Sequence, residues 1–401
     1  MQIITGQLTH FVNPLARRDN VYSEQQRKIL DIDKSHEAIE TIRLWPGYSV
    51  TPLYSLNSMA RDADIGKLWY KDESRRFDLK SFKALGGAYA VIRQLQKALE
   101  QKLGKTPDTR EILAGKWRKE IQEITVSCAT DGNHGRSVAW GARLFGCSAV
   151  IYIHRDVSEG RKECMESFGA RVIRIEGNYD DSVKMADAEA KANGYIIVSD
   201  TSYPGYTEIP KDVALGYTAM LSELVDQLGG EIPTHVFVQG GVGGLASTVC
   251  GYFWQLWGNE RPRFSVVEPE QANCLQQSAR AGEPVRVEGS LTTLMAGLAC
   301  GEVSILAWEI LKNGSDDFMT VSEDTVPATM RLLAQGYRND PAIEAGESAV
   351  PGLAAALLAR ADQEIARKMQ LDSSSKILLI GTEGATDPEL YQKLVDIDSE
   401  I

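Results

Sequence analysis

The chain has 401 residues, 43% of them hydrophobic and 24% charged, a balance that excludes disorder and fibrous repeats and provides for two domains or one large α/β body. Its 55 acidic side chains outnumber 43 basic ones, a formal net charge of −12, so the field of the whole molecule repels nucleic-acid phosphates and anionic lipid. MQIITGQLTH lacks the charged-then-apolar pattern of a secretion signal and no apolar run reaches bilayer-spanning length, so the expectation is a cytoplasmic protein with neither membrane nor nucleic acid as partner.

In chain order, residues 1–40 are polar and mixed, with helical spacing from Glu24 to Ile39, and read as an extension packed on the body. Strand signals follow at Lys67 to Tyr70, then the turn-rich KDESRRFDLKSFK, then a helix from Ala84 to about Leu99 that leaves Lys83 at its entrance. From there strand, turn and helix alternate. Ile124 to Ser127 precedes DGNHG and a helix beginning near Arg136; Ala149 to Ile153 precedes a helix over Glu159 to Phe168; Arg171 to Ile175 precedes a helix over Asp180 to Ala192; the strand YIIVSD ends at Asp200. A second set places His235 to Val238 before GGVGG, Phe264 to Val267 before EPEQANC, and Lys376 to Ile380 before GTEG. Apolar runs without polar alternation fit strands buried on both faces, and the alternation is that of parallel sheets covered by helices. The expected division is a small α/β domain over 85–205 and a large one made of 1–84 and 206–401.

Three constellations carry chemistry. In GGVGG, residues 240–244, glycines lay backbone N–H groups and a helix start open to an anion. The spacing Gly241, Gly243, Ala246, with Glu268 ending the next strand, also fits a dinucleotide site, so a nicotinamide dehydrogenase competes; a tight turn with no ligand is the plain alternative. SerPheLys at 81–83 ahead of ALGGAYA puts one lysine where small residues let the backbone crowd close. A dehydrogenase has no need of that lysine, whereas a cofactor bound as an imine requires one. AlaThrAspGlyAsnHisGly, 129–135, opens a helix with polar side chains suited to a substrate carboxylate, against the plain reading of Asp131 as a cap and Asn133 as a turn residue. The six cysteines (Cys128, Cys147, Cys164, Cys250, Cys274, Cys300) show no CxxC spacing and no histidine cluster, which argues against a metal site.

SFK before an Ala/Gly helix, TDGNHG, GGVGG and the late GTEG together resemble the fold-type II pyridoxal-phosphate enzymes, which include the threonine and serine dehydratases and the tryptophan synthase β chain. Within that family KDESRRFDLKSFKALGGAYA, ATDGNHGRSVAW, NYDDSV, THVFVQGGVGG, VEPEQANC, LMAGLACGE, RNDPAIEAGES and GTEGATD resemble, in order from Pro52 to Asp387, the diaminopropionate ammonia-lyases. The resemblance implies two open twisted α/β domains with the active site in the cleft between them, and a homodimer. It implies pyridoxal 5'-phosphate joined to Lys83, its phosphate on Gly240, Gly241, Val242, Gly243 and Gly244, its ring nitrogen near the neutral hydroxyl of Thr382. Thr130, Asn133 and His134 would hold the substrate carboxylate or the cofactor's phenolic oxygen.

Position 131 separates readings within the family. In the dehydratases and serine racemase that resemble this chain, the matching loop carries a small residue; here it carries Asp131. The family's geometry sets Lys83 and Asp131 on opposite faces of the cofactor, which implies elimination of ammonia from both D- and L-2,3-diaminopropionate, giving pyruvate and two ammonia molecules. Asp131, Asp200 and Lys83 are the candidates for protonating the departing amine, Asp200 being equally readable as a turn cap. A serine or threonine dehydratase of the same fold is the nearer alternative and the dehydrogenase the remote one. Glu347 and Ser348 are further site candidates beside Ala349, where the ammonia-lyases carry glycine. Cys274 and Cys300 fall where the family also carries cysteine, so the resemblance allows a pair; reduced thiols are the reading for a reducing compartment.

Overall fold

The computed structural model describes residues 2–396. In chain order the strands are β1 (Leu8–Val12), β2 (Leu53–Ser55), β3 (Lys67–Asp72), β4 (Thr125–Ala129), β5 (Ser148–Ile153), β6 (Arg171–Arg174), β7 (Ile196–Ile197), β8 (His235–Gln239), β9 (Arg263–Pro269), β10 (Asp317–Val321) and β11 (Lys376–Gly381). They form a seven-stranded sheet ordered β1-β10-β9-β8-β11-β3-β2 and a four-stranded sheet ordered β6-β5-β4-β7. The small sheet is parallel throughout. The large one is parallel except at its edges, where β1 and β2 each run antiparallel to their neighbour.

All five residues of β8 and of β10 are buried, as parallel strands covered on both faces must be. Phe237, Met319 and Leu379 from β8, β10 and β11 share a core with Leu353, Ala354 and Leu357 of the helix Pro351–Ala361. The sequence hid β10 because it opens on a charge: Asp317 is fully buried and accepts bonds from Arg263 Nε and Nη2 at 2.7 and 2.9 Å. His10 of β1 also meets it, with Nε2 2.7 Å from Oδ1. Burial favours the neutral acid, but Arg263 and His10 outweigh it and hold the Asp317 carboxyl below its usual range. Residues 1–40 are therefore more than an extension, since β1 is an integral edge strand.

The chain divides into two compact units, one built from residues up to Ile32, Val50–Lys80 and Met220 onward, the other from Asp33–Ser49 and Ser81–Ala219. This division differs from the expected one, for it gives 33–49, 81–84 and 206–219 to the smaller unit. Packing explains the difference. The helix Lys83–Leu103 lies against the helix Asn133–Phe145 so closely that a Cβ on Gly87 would sit 1.7 Å from Ser137 Oγ. Gly216, in the first half of the helix Glu208–Leu228, abuts Leu85 and Gly86. Trp45 packs edge-on against Trp140 and Phe145, with centroids 5.9 and 5.7 Å away.

The segment that leads to Lys83 is fixed by a buried charge network in the larger unit. Arg76 donates to both oxygens of Glu73 and of Glu223, each bond 2.8 Å, and Lys71 donates to Glu223 at 3.0 Å. Two cations and two carboxylates, each almost fully buried, balance one another. Just beyond, Phe77, Asp78 and Lys80 all have positive φ, strained turns that a fixed anchor upstream can sustain.

Candidate active site

In the smaller unit Lys83 is the first residue of its helix, and its Nζ forms an ion pair with Asp200 Oδ2, three residues past β7. Phe82, whose ring centroid is 5.3 Å from that Nζ, packs on Tyr217. His134, buried, places Nδ1 3.7 Å from the same Asp200 oxygen. His134 Nε2 lies 2.8 Å from the Val198 carbonyl, so Nε2 carries the hydrogen and Nδ1 is turned toward Asp200. Burial favours the neutral acid at Asp200, but the adjoining Lys83 ammonium outweighs it and holds the carboxyl well below the usual carboxylate range. Asp200 is thus an ion-pair partner here, not a turn cap.

The loop after β4 is shaped by Thr130, whose buried hydroxyl accepts the backbone N–H of Gly132 and of Gly135, both at 3.0 Å. That double bond to the turn lets the helix begin at Asn133, three residues before the expected start near Arg136, so Asn133 and His134 lie in its first turn. The N-cap is Gly132, with no capping side chain; the cap reading of Asp131 does not hold. The Asp131 carboxylate instead meets His154 Nε2 at 2.8 Å, where the C-terminal ends of β4 and β5 lie side by side. Sequence reasoning missed His154. Its partner is 23 residues away, and only the parallel pairing of two strands brings them together.

In the larger unit the GGVGG loop joins β8 to the helix Gly244–Trp257. Gly243 is its N-cap, at φ +97°, with no capping side chain, so the first N–H groups of the helix are left for an anion. A Cβ at Gly243 would lie 2.9 Å from Ala307 Cβ, so the position requires glycine on two counts. Gln239, ahead of the loop and also missed, donates through Nε2 to the carbonyls of Ala349 and Ile380 at 2.8 and 2.9 Å. Thr382, just past β11, donates to the Ser348 carbonyl at 3.1 Å, and the Ser348 Oγ accepts the Gly297 N–H at 3.0 Å. Glu347 and Ser348 are buried in this loop cluster. Cys274 is a buried thiol that donates to the Gly241 carbonyl at 3.6 Å, and no disulfide joins it to Cys300.

The geometry removes the support for a dinucleotide. Glu268, which a nicotinamide site would turn toward a ribose, is fully buried and accepts the N–H groups of Leu275 and Gln276 at 2.8 Å each. It caps the helix Cys274–Ala281 from within the core. The residues present do fit pyridoxal phosphate. His134 Nδ1 and Gln239 Oε1 are buried polar atoms without a protein partner, the helix at Gly244 offers uncapped donors to a phosphate, and the lysine amine is held beside a carboxylate.

The chain belongs to the pyridoxal-phosphate-dependent enzyme family: the family described as "Pyridoxal-phosphate dependent enzyme" matches residues 44–382. It is a fold-type II enzyme that uses pyridoxal 5'-phosphate, and a carbon-nitrogen lyase. Among its relatives is the diaminopropionate ammonia-lyase of Escherichia coli strain K12, 38% identical over 356 residues that cover 87% of this chain and 88% of the relative. The crystal structure of the E. coli enzyme with an aminoacrylate-PLP azomethine reaction intermediate is similar at TM-score 0.85 and 34% identity, over 98% of this chain and 97% of that one. The complex of the E. coli enzyme with D-serine gives TM-score 0.86 at the same identity and coverage. No helix among the described residues is long and apolar enough to cross a membrane, and none of their His, Cys, Asp and Glu side chains group as a metal site.

Proposed function

We propose that this enzyme eliminates ammonia from 2,3-diaminopropionate, accepting both the D and the L isomer, and releases pyruvate and a second ammonia after hydrolysis of the 2-aminoacrylate product. One observation carries the reading. Asp131 stands apart from the Lys83–Asp200 ion pair and has its own partner in His154, so the smaller unit holds two acid–base groups built independently. A dehydratase acting on serine or threonine has use for the lysine but no need of the second carboxylate.

The cofactor, when bound, supplies a conjugated sink for the charge left at the substrate Cα. Lys83 would carry it, Gly240, Gly241, Val242, Gly243 and Gly244 would hold its phosphate, Thr382 would face its ring nitrogen and Asn133 its phenolic oxygen. Thr130, Asn133 and His134 would hold the substrate carboxylate at the start of their helix, where backbone N–H groups favour a negative charge. Lys83 and Asp131 would each take the Cα proton of one isomer. The departing β-amine needs a proton. Asp200 is held ionised by its neighbours, so the proton delivered is the one taken from Cα, from Lys83 for one isomer and from the Asp131 carboxyl for the other, and Asp200 acts by keeping the Lys83 amine in place. Assembly as a homodimer and a place in the cytoplasm complete the proposal; sedimentation of the holoenzyme tests the first and fractionation of cells the second.

Turnover of each isomer by Asp131→Asn tests the assignment. One isomer loses roughly 100-fold or more in kcat, the scale of a general base, and the other keeps most of its rate. Equal loss for both isomers, or loss for neither, removes the two-base reading, and faster pyruvate release from serine than from diaminopropionate moves the chain to the dehydratases.

A further inference from the structure

Beside the loop that carries Asp131, the loop after β5 opens on a second titratable group for which the proposed reaction has no role. His154 directly follows β5 and is largely buried, with 17% of its side chain exposed, while the Asp131 carboxylate it meets is 37% exposed. The backbone N–H of Asp156 donates to His154 Nδ1 at 3.3 Å, which makes Nδ1 the acceptor and leaves the ring hydrogen on Nε2. That hydrogen points at Asp131 Oδ1, 2.8 Å away. Protonation of Nδ1 would leave the bond to Asp131 intact and turn the new N–H toward the Asp156 carboxylate, 3.6 Å away. In either state the ring therefore donates to Asp131 from a fixed position.

We propose that His154 is a positioning residue for Asp131, locking the carboxylate in one orientation through the Nε2–H···Oδ1 bond, so that the isomer whose Cα proton Asp131 removes turns over at full rate. The inference deepens the proposed function and rests on it. A partly exposed aspartate on a glycine turn has free rotation about two side-chain bonds, and a general base must meet its proton within hydrogen-bond reach. The turn itself cannot supply that restraint. Thr130 holds the backbone that follows position 131, and Arg161 Nη1 donates to the Asp131 carbonyl, at 3.4 Å. His154 is what orients the side chain. A positioned general base contributes roughly 100- to 10,000-fold, and losing its orientation forfeits part of that.

The charges around the ring are Asp131 on the β4 loop, Arg155 and Asp156 on the β5 loop, Arg161 and Glu159 on the helix Glu159–Ser167, and Arg174 of β6. Arg174 is committed to the Arg155 and Val157 carbonyls and to Glu159. The bond to Asp131 favours the imidazolium and raises the His154 ring above the usual histidine range, with the Asp156 charge adding to it.

Two measurements test the assignment. In the cofactor-free protein the ring nitrogens of His154, followed by NMR against pH, titrate above the ordinary value of about 6.5, and Asp131→Asn brings the midpoint back toward it. In the holoenzyme His154→Ala lowers kcat about 10-fold or more for the isomer that depends on Asp131, leaves KM and the other isomer within about twofold, and His154→Gln, which keeps a donor at the Nε2 position, restores most of the loss. A titration midpoint unmoved by Asp131→Asn, or equal loss of both isomers in His154→Ala, overturns the proposal. A wild-type holoenzyme that turns over neither isomer refutes the proposed function instead, and the titration still decides whether the two side chains are coupled.

Discussion

Gly87→Ala tests whether the helices that carry Lys83 and His134 are held at the separation the structure shows. The added methyl would lie 1.7 Å from Ser137 Oγ and 2.9 Å from Ser137 Cβ. Rotating the serine removes the first clash but breaks its bond to the His134 carbonyl, 2.8 Å long, worth about 1 kcal/mol. No rotation removes the second, so the helices must part, at the roughly 1–3 kcal/mol typical of overpacking. Alanine returns about 1 kcal/mol of helix propensity. The expected net loss is therefore about 1–3 kcal/mol in urea unfolding of the cofactor-free protein. Ser137→Gly, which deletes both clashing atoms, serves as the partner in a double-mutant cycle. Relief of the clash gives a coupling of about 2 kcal/mol, and additivity within about 0.5 kcal/mol refutes the close contact.

Asp200 has its folded carboxyl depressed below the unfolded value of about 4, so its stabilising effect is present above that value and is lost as pH falls through the lower folded one. The stability difference between wild type and Asp200→Asn, measured by urea unfolding of the cofactor-free protein, should therefore persist from pH 7 to 5 and shrink below pH 4; a pH-independent difference contradicts the ion pair. Gly243→Ala forces a side chain into φ +97° and against Ala307, strain of about 1–3 kcal/mol. Absorbance titration of the apoprotein should show pyridoxal phosphate binding weakened roughly 10-fold or more, whereas an unchanged affinity takes the loop out of the phosphate site.

The parallel strands other than β10 were legible because burial on two faces leaves nearly continuous apolar runs, as in HVFVQ and SAVIYI. The edges and β10 were not. β2 is three residues long, and β1 and β10 carry His10 and Asp317, polar residues that satisfy each other only after the strands pair. Lys83, Asp131, His134 and Asp200 were all named from the sequence. Their pairings were hidden. Asp200 meets Lys83 across 117 residues, and Asp131 meets a histidine that no motif marks. The small residues after Lys83 do let the backbone crowd close, and what Gly87 admits is Ser137 of a neighbouring helix.

The arrangement around Thr130 bears on how this loop can change. One hydroxyl pins the main chain at two points beyond position 131, and the helix start that follows uses glycine, not the aspartate, as its cap. The side chain at 131 therefore has no part in building the bend that displays it. Exchange there leaves the scaffold as it was, so on the proposed two-base reading a single codon would move the catalyst between stereochemical repertoires.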